Sequence, residues 1–179
     1  LSEISFTAKA GETTAIIGGT GSGKSTLVNL IPRYYDVSYG SILLNGVDIR
    51  YMSSDALHNR IGFVPQKAFL FSGTIADNLL FGKPDATEKE MWTALDIAQA
   101  SHFVKKLKDG LHDPVSQSGK NLSGGQQQRI AIARALIRRS DFYVFDDSFS
   151  ALDFLTDAKL RASLKENLRD SALIIVAQR

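Results

Sequence analysis

The residues with the clearest chemical potential lie near the start of the chain, in Gly18-Gly19-Thr20-Gly21-Ser22-Gly23-Lys24-Ser25-Thr26. This run fits the pattern G-x-x-x-x-G-K-[ST]. Glycines let a backbone wrap closely around an anion and turn its N–H groups inward. The lysine adds a charge that can reach β- and γ-phosphates, and the hydroxyl after it suits Mg²⁺. The chemistry predicted is therefore binding of a nucleoside triphosphate, with Gly19 to Thr26 as the cradle, Lys24 as its cation and Ser25 as a metal ligand. A flexible glycine loop without a ligand is the plainer reading, and the flanking elements decide against it. Thr13-Thr14-Ala15-Ile16-Ile17 reads as a β-branched strand running into the loop. A helix from Lys24, with Leu27, Val28, Leu30 and Ile31 apolar, leaves it and stops at Pro32.

Two further groups belong to the same chemistry. Phe142-Tyr143-Val144-Phe145-Asp146 is an apolar strand ending in a carboxylate. At the carboxyl end of a parallel strand, Asp146 can face the loop and hold Mg²⁺ through water. Leu122-Ser123-Gly124-Gly125-Gln126 opens a helix, with Ser123 as its N-cap and two glycines that leave the helix start open to an anion. One chain with two phosphate-type helix starts suggests that the second serves another molecule's nucleotide.

The elements that must position these groups alternate at both ends of the chain. Ser41 to Ile49 reads as a hairpin turning at Asn45-Gly46, and Ile61-Gly62-Phe63-Val64 as a short buried strand ended by Pro65. Residues 72–140 show no strand pattern but helical spacing over 88–100 and 124–138. Strands at 142–146 and 173–177 flank a helix over 156–168 with Leu160, Leu164 and Leu168 four apart. The fold class predicted is α/β: a P-loop NTPase core with a mainly parallel sheet and a small antiparallel β part. Into that core (1–71 and 141–179 of a single 1–179 domain) a helical subdomain of about 72–140 is inserted.

With these motifs in order, the sequence resembles the nucleotide-binding domain of an ABC transporter over essentially its whole length. The resemblance makes the glycine loop Walker A, the Phe142–Asp146 strand Walker B, and residues 122–126 the ABC signature. Val64-Pro65-Gln66 resembles the Q-loop, implying that Gln66 contacts Mg²⁺ and water and senses the membrane domain. Ser150-Ala151-Leu152-Asp153 resembles the D-loop, and Ile175-Val176-Ala177-Gln178-Arg179 stands at the H-loop. The run Phe69-Leu70-Phe71-Ser72-Gly73-Thr74-Ile75 is similar to multidrug and lipid exporters more than to importers. The family pairs two such domains head to tail around two ATPs. This implies a second ABC domain as partner, transmembrane domains reached through the Q-loop region, and a place on the cytoplasmic face of the membrane. Ser123, Gly124, Gly125 and Gln126 would then complete the partner's ATP site.

The departures from the family pattern carry their own expectations. The catalytic position after Walker B, usually Glu, is Asp147, and the H-loop His is Gln178. Misplacing or losing an acid–base group typically costs about 10²-fold or more, so with Lys24 binding intact the chain reads as the slow-site half of a heterodimeric exporter. Ser116-Gln117-Ser118-Gly119 replaces a charged pre-signature motif. No aromatic before Gly11 suits adenine stacking except Phe6, which reads as core, so weak ATP affinity is expected. An ATP-gated dimerisation module with negligible turnover, or a soluble ABC ATPase of DNA repair or translation, are the alternatives. The second would call for a coiled-coil insertion or tandem domains.

Composition excludes other classes. The net charge of +2, from 21 basic and 19 acidic residues, is too balanced for a nucleic-acid partner to be expected. Zero cysteines rule out disulfides and thiolate metal sites, and His58, His102 and His112 have no metal-ligand spacing. No apolar run approaches the ~20 residues of a membrane helix, and residues 1–6 show no leader pattern. A start without Met and an end just after a strand predict a piece of a longer protein.

Overall fold

Strand position follows from how apolar each run is. The computed structural model describes residues 1–178. Strand β1 (Thr13–Ile17) leads through the glycine loop into α1 (Lys24–Asn29); the β2–β3 hairpin (Leu43–Leu44 and Val47–Asp48), α2 (Ser54–His58) and β4 (Ile61–Val64) follow. The middle of the chain holds β5 (Gly73–Thr74), α3 (Ile75–Leu80), α4 (Glu88–Ile97), α5 (Ser101–Val104), β6 (Pro114–Val115) and α6 (Gly124–Leu136). It closes with β7 (Phe142–Asp146), α7 (Phe154–Asn167) and β8 (Ala172–Ala177). The main sheet has the order β1-β8-β7-β4, every neighbouring pair parallel. The two longest buried runs, β7 and β8, take the centre, where both faces are covered.

Alternate residues of those strands serve opposite cores. Tyr143, Phe145, Leu173 and Ile175 face one layer with Leu79, Leu95, Ile130 and Leu160. Phe142, Val144, Ile174 and Val176 face the other, with Val28 of α1 and Leu57 of α2. Register then aligns the carboxyl ends: Asp146 lies opposite Val176, Ile17 opposite Ala177, and Val64 opposite Phe145. The residues just beyond these ends come together along one edge of the sheet, where parallel α/β sheets bind ligands.

The structure corrects several expectations. The stretch 72–140 contains a two-residue antiparallel ladder, Gly73–Thr74 against Pro114–Val115, too short to show a sequence period. Phe6 is 46% exposed rather than core. Helix α1 ends at Asn29, six residues long; beyond it Leu30 N and Ile31 N bond three residues back, to Leu27 O and Val28 O, in a tighter turn. Helix α4 ends at Ile97 rather than near Ala100, since Gln99 is left-handed. The Asn45-Gly46 turn is as expected, with φ of 52° and 81°. Among the described residues, no helix is long and apolar enough to cross a membrane.

Candidate functional site

The loop is built by what its side chains leave out. Gly21 and Gly23 adopt φ of 80° and 90°, the left-handed region that costs other residues most. Gly23 caps α1 without any side-chain cap, so the N–H groups of the first turn keep no competing partner there. With only six residues in the helix behind it, an anion held at this loop would depend on loop amides and Lys24 more than on a helix dipole. The Lys24 Nζ folds back and donates to the carbonyls of Gly18 at 2.6 Å and Gly19 at 2.8 Å. The Ser22 hydroxyl donates to Gly19 O at 2.9 Å and tightens the turn. A Cβ at Gly19 or Gly21 would meet nothing within 4 Å, so that rim of the loop is open; Thr20 and Thr26 are also exposed.

Across the sheet edge, the Ser25 hydroxyl donates to Asp146 Oδ1 at 3.1 Å. Asp146 is 5% exposed. Burial pushes its pKa above the ordinary carboxylate value; the Ser25 hydrogen bond opposes that, the Asp147 charge adds to it, and Lys24 pulls it back. Asp147 itself has left-handed backbone, φ 46°, its N–H donating to Val176 O at 3.1 Å. Its Oδ2 accepts from two amides: Gln66 Nε2 at 3.0 Å and Gln178 Nε2 at 3.1 Å. Lys24, Ser25, Gln66, Asp146, Asp147 and Gln178 thus belong to one locality, and a cleft of about 330 Å³ opens beside Asp147 and Gln178.

The second glycine-rich helix start stands apart. Ser123 Oγ accepts from Gln126 N at 3.3 Å, and Gln126 Oε1 accepts from Ser123 N at 2.9 Å, a closed capping box. The Gln126 side-chain oxygen is therefore engaged by its own helix, while Ser123 and Gly124 are exposed. Gly125 packs on the segment before α7, where an added Cβ would sit 3.2 Å from Ala151 O. Among the described residues, no hydrogen bond joins 123–126 to the loop at 18–26.

Three residues that sequence reasoning passed over tie these parts together. The buried Gln128 of α6 donates to Pro65 O at 3.3 Å, next to Gln66. Arg129 donates to Gly125 O at 3.1 Å and to Gln99 O at 2.7 Å, its guanidinium 4.9 Å from the Phe103 ring centre. Arg134 donates to Phe69 O at 2.8 Å and lies over Phe71 at 5.6 Å. Burial lowers the pKa of both arginines. The signal was polar side chains interrupting the apolar face of α6. Phe69 and Phe71 are 50% and 40% exposed; the Phe71 and Phe81 rings pack tilted, centres 4.2 Å apart, along a groove of about 320 Å³ that Arg134 also lines.

A glycine loop with an inward lysine, facing a buried carboxylate at the end of a parallel strand, defines a P-loop nucleotide-binding domain. A family model described as "ABC transporter" matches residues 1–150, and the chain belongs to that family as one of its ATP-hydrolysing ATP-binding domains. An uncharacterized ABC transporter ATP-binding protein of Mycobacterium tuberculosis is 57% identical over 182 residues, covering 100% of this chain and 31% of its own length. A multidrug efflux ATP-binding/permease protein of the same species is 44% identical over 179 residues, covering 100% of this chain and 15% of its own length. In three dimensions, the structure of a bacterial Atm1-family ABC exporter with ATP bound superposes with a TM-score of 0.93 at 35% identity, over 97% of this chain and 30% of that one. The chain thus spans about a third or less of the relatives it matches.

Proposed function

We propose that this chain is the energy-coupling ATPase domain of an ABC exporter, working at the cytoplasmic face of a membrane. The observation that carries the proposal is the convergence of Lys24, Ser25, Asp146 and Asp147 at one sheet edge, supported by relatives named as efflux and export proteins. Residues 72–140 act as a helical insertion, since all four strands of the main sheet come from the core segments 1–71 and 141–179. The Lys24 ammonium exchanges its two loop carbonyls for β- and γ-phosphate oxygens, and the amides of 19–26 close around them. The oxygen-only pair Ser25 and Asp146 fits Mg²⁺, which takes few protein ligands and keeps waters; when bound, the ion neutralises phosphate charge. Gln66 bonds to Asp147, the neighbour of Asp146 in the chain. Asp147 orients the attacking water in this reading. Ser123 to Gln126 serve the nucleotide of a second ABC domain, and the groove at Phe71, Phe81 and Arg134 is the seat of the transmembrane partner.

The partner is a different chain. Asp147 is one methylene shorter than the Glu usual at that position, and Gln178 cannot become an imidazolium, so this site turns over slowly while Ser123 completes a fast site on the partner. Turnover of the paired transporter with Asp147→Asn, set against the partner's own catalytic carboxylate replaced, tests this. The asymmetric reading expects a small loss from the first and a near-complete loss from the second. Equal losses refute it.

A further inference from the structure

We infer that Gln178 is a positioning residue that acts through Asp147, and that Gln66 and Gln178 form a two-sided amide clamp on that carboxylate. This rests on the nucleotide reading of the site and sharpens it, because it removes Gln178 from direct contact with phosphate. Sheet order makes the clamp possible. β7 lies between β8 and β4, so Asp147, one residue past the end of β7, is flanked by Gln178, one past β8, and Gln66, two past β4. Each side strand delivers one carboxamide to the central acid, at 3.1 Å and 3.0 Å, and both meet the same oxygen, Oδ2.

An ionised carboxylate only accepts hydrogen bonds. Both amides must therefore turn their NH₂ groups to Asp147 and their carbonyl oxygens away from it. The Oε1 atoms of Gln66 and Gln178 each remain acceptors. Asp147 Oδ1 accepts no hydrogen bond among the described residues, so one oxygen is anchored and the other is available to a water. The aspartate suits this place: φ of 46° is a conformation that Asp enters several-fold more readily than most residues. Its side chain is short, and two long carboxamides reach in to meet it.

The test uses the full transporter carrying this chain, with the partner's nucleotide site disabled, single-turnover hydrolysis of ATP, and titration with a fluorescent ATP analogue. Losing one hydrogen bond to a charged group predicts that Gln178→Leu slows hydrolysis roughly 10-fold or more. In the Asp147→Asn background the same change should add less than about 2-fold, as expected of residues acting as one unit. Analogue affinity should move less than about 2-fold in each Gln178 and Asp147 variant. Gln178→His, which keeps a ring N–H donor, should recover most of the lost rate. Equal slowing of both backgrounds by Gln178→Leu, or a 10-fold weaker analogue affinity, would mean that Gln178 touches nucleotide and would overturn the inference. Lys24→Ala keeps the two readings apart: if it binds the analogue as tightly as wild type, the nucleotide site itself is misassigned, whatever Gln178 does.

Discussion

The Ser123 hydroxyl has one task in its own chain and a second only in the proposed assembly, and a pair of substitutions separates them. Within its own chain the hydroxyl caps α6, accepting from Gln126 N at 3.3 Å. Ser123→Ala removes that bond but leaves the return bond from Ser123 N to Gln126 Oε1, because it uses backbone. The first two helical residues are Gly124 and Gly125, each about 1 kcal/mol poorer than Ala in a helix, so this start depends on its cap. The expected cost of Ser123→Ala is about 1 kcal/mol, or roughly 2–4 °C in the melting of a domain this size. Ser123→Asp keeps a side-chain acceptor of equal capping strength and adds a favourable charge at a helix start. It should melt at or above wild type.

Activity should run in another order. A hydroxyl donated to a neighbour's γ-phosphate contributes about 1.5–3 kcal/mol, so Ser123→Ala should lose roughly 10- to 150-fold in steady-state ATP turnover. Ser123→Asp sets a negative charge against a triphosphate and should lose more. Stability is thus predicted as Asp ≈ Ser > Ala, and turnover as Ser > Ala > Asp. Differential scanning fluorimetry and phosphate release on the same preparations check both orders. Turnover that follows stability, with Ser123→Asp fully active, would refute the contact across the interface and leave Ser123 a helix cap alone.

Two other expectations concern the sheet edge and its support. Asp146 has a folded pKa raised mainly by burial, so its contribution to stability is present below the unfolded carboxyl range and is lost as pH rises through the folded value. Asp146→Asn, which keeps an acceptor for Ser25, should therefore gain melting temperature over wild type as pH rises from about 4.5 to about 7.5, while losing Mg²⁺-dependent ATP binding. A pH-independent difference in melting would contradict the burial argument. Gly62→Ala would drive its Cβ into the ring of Tyr143 at Cδ1 and Cε1. That ring is fully buried, and its hydroxyl oxygen accepts from Ser140 N at 2.9 Å. The overpacking should cost about 1–3 kcal/mol; an unchanged melt would show that the β4–β7 pair is more yielding than its packing implies.

Much of the site was legible in the sequence because its parts are local. The glycine loop, Lys24 and Ser25 are contiguous, and the strand before them is a β-branched run. Strands β7 and β8 were legible as short apolar runs, since central parallel strands are covered on both faces. The clamp on Asp147 was not, because Gln66 and Gln178 lie 81 and 31 residues from it and meet it only through sheet order. Gln128 and Arg129 escaped notice for a related reason. Periodicity counts polar residues on an apolar face as interruptions, whereas here they reach the carbonyls of Pro65, Gln99 and Gly125. The β5–β6 ladder, two residues on each side, has no period to detect. Phe6 has the residue type of a core position, and its exposure follows from a stretch before β1 with little regular structure.

The central claim is that a triphosphate sits in the loop ahead of Lys24. Equilibrium titration of the transporter with a fluorescent ATP analogue, wild type against Lys24→Ala, tests it most directly, with any partner site disabled. Removing the cation that now rests on Gly18 O and Gly19 O should weaken binding by roughly 10-fold or more, as for loss of a charged hydrogen bond. Undiminished affinity in Lys24→Ala would contradict the account.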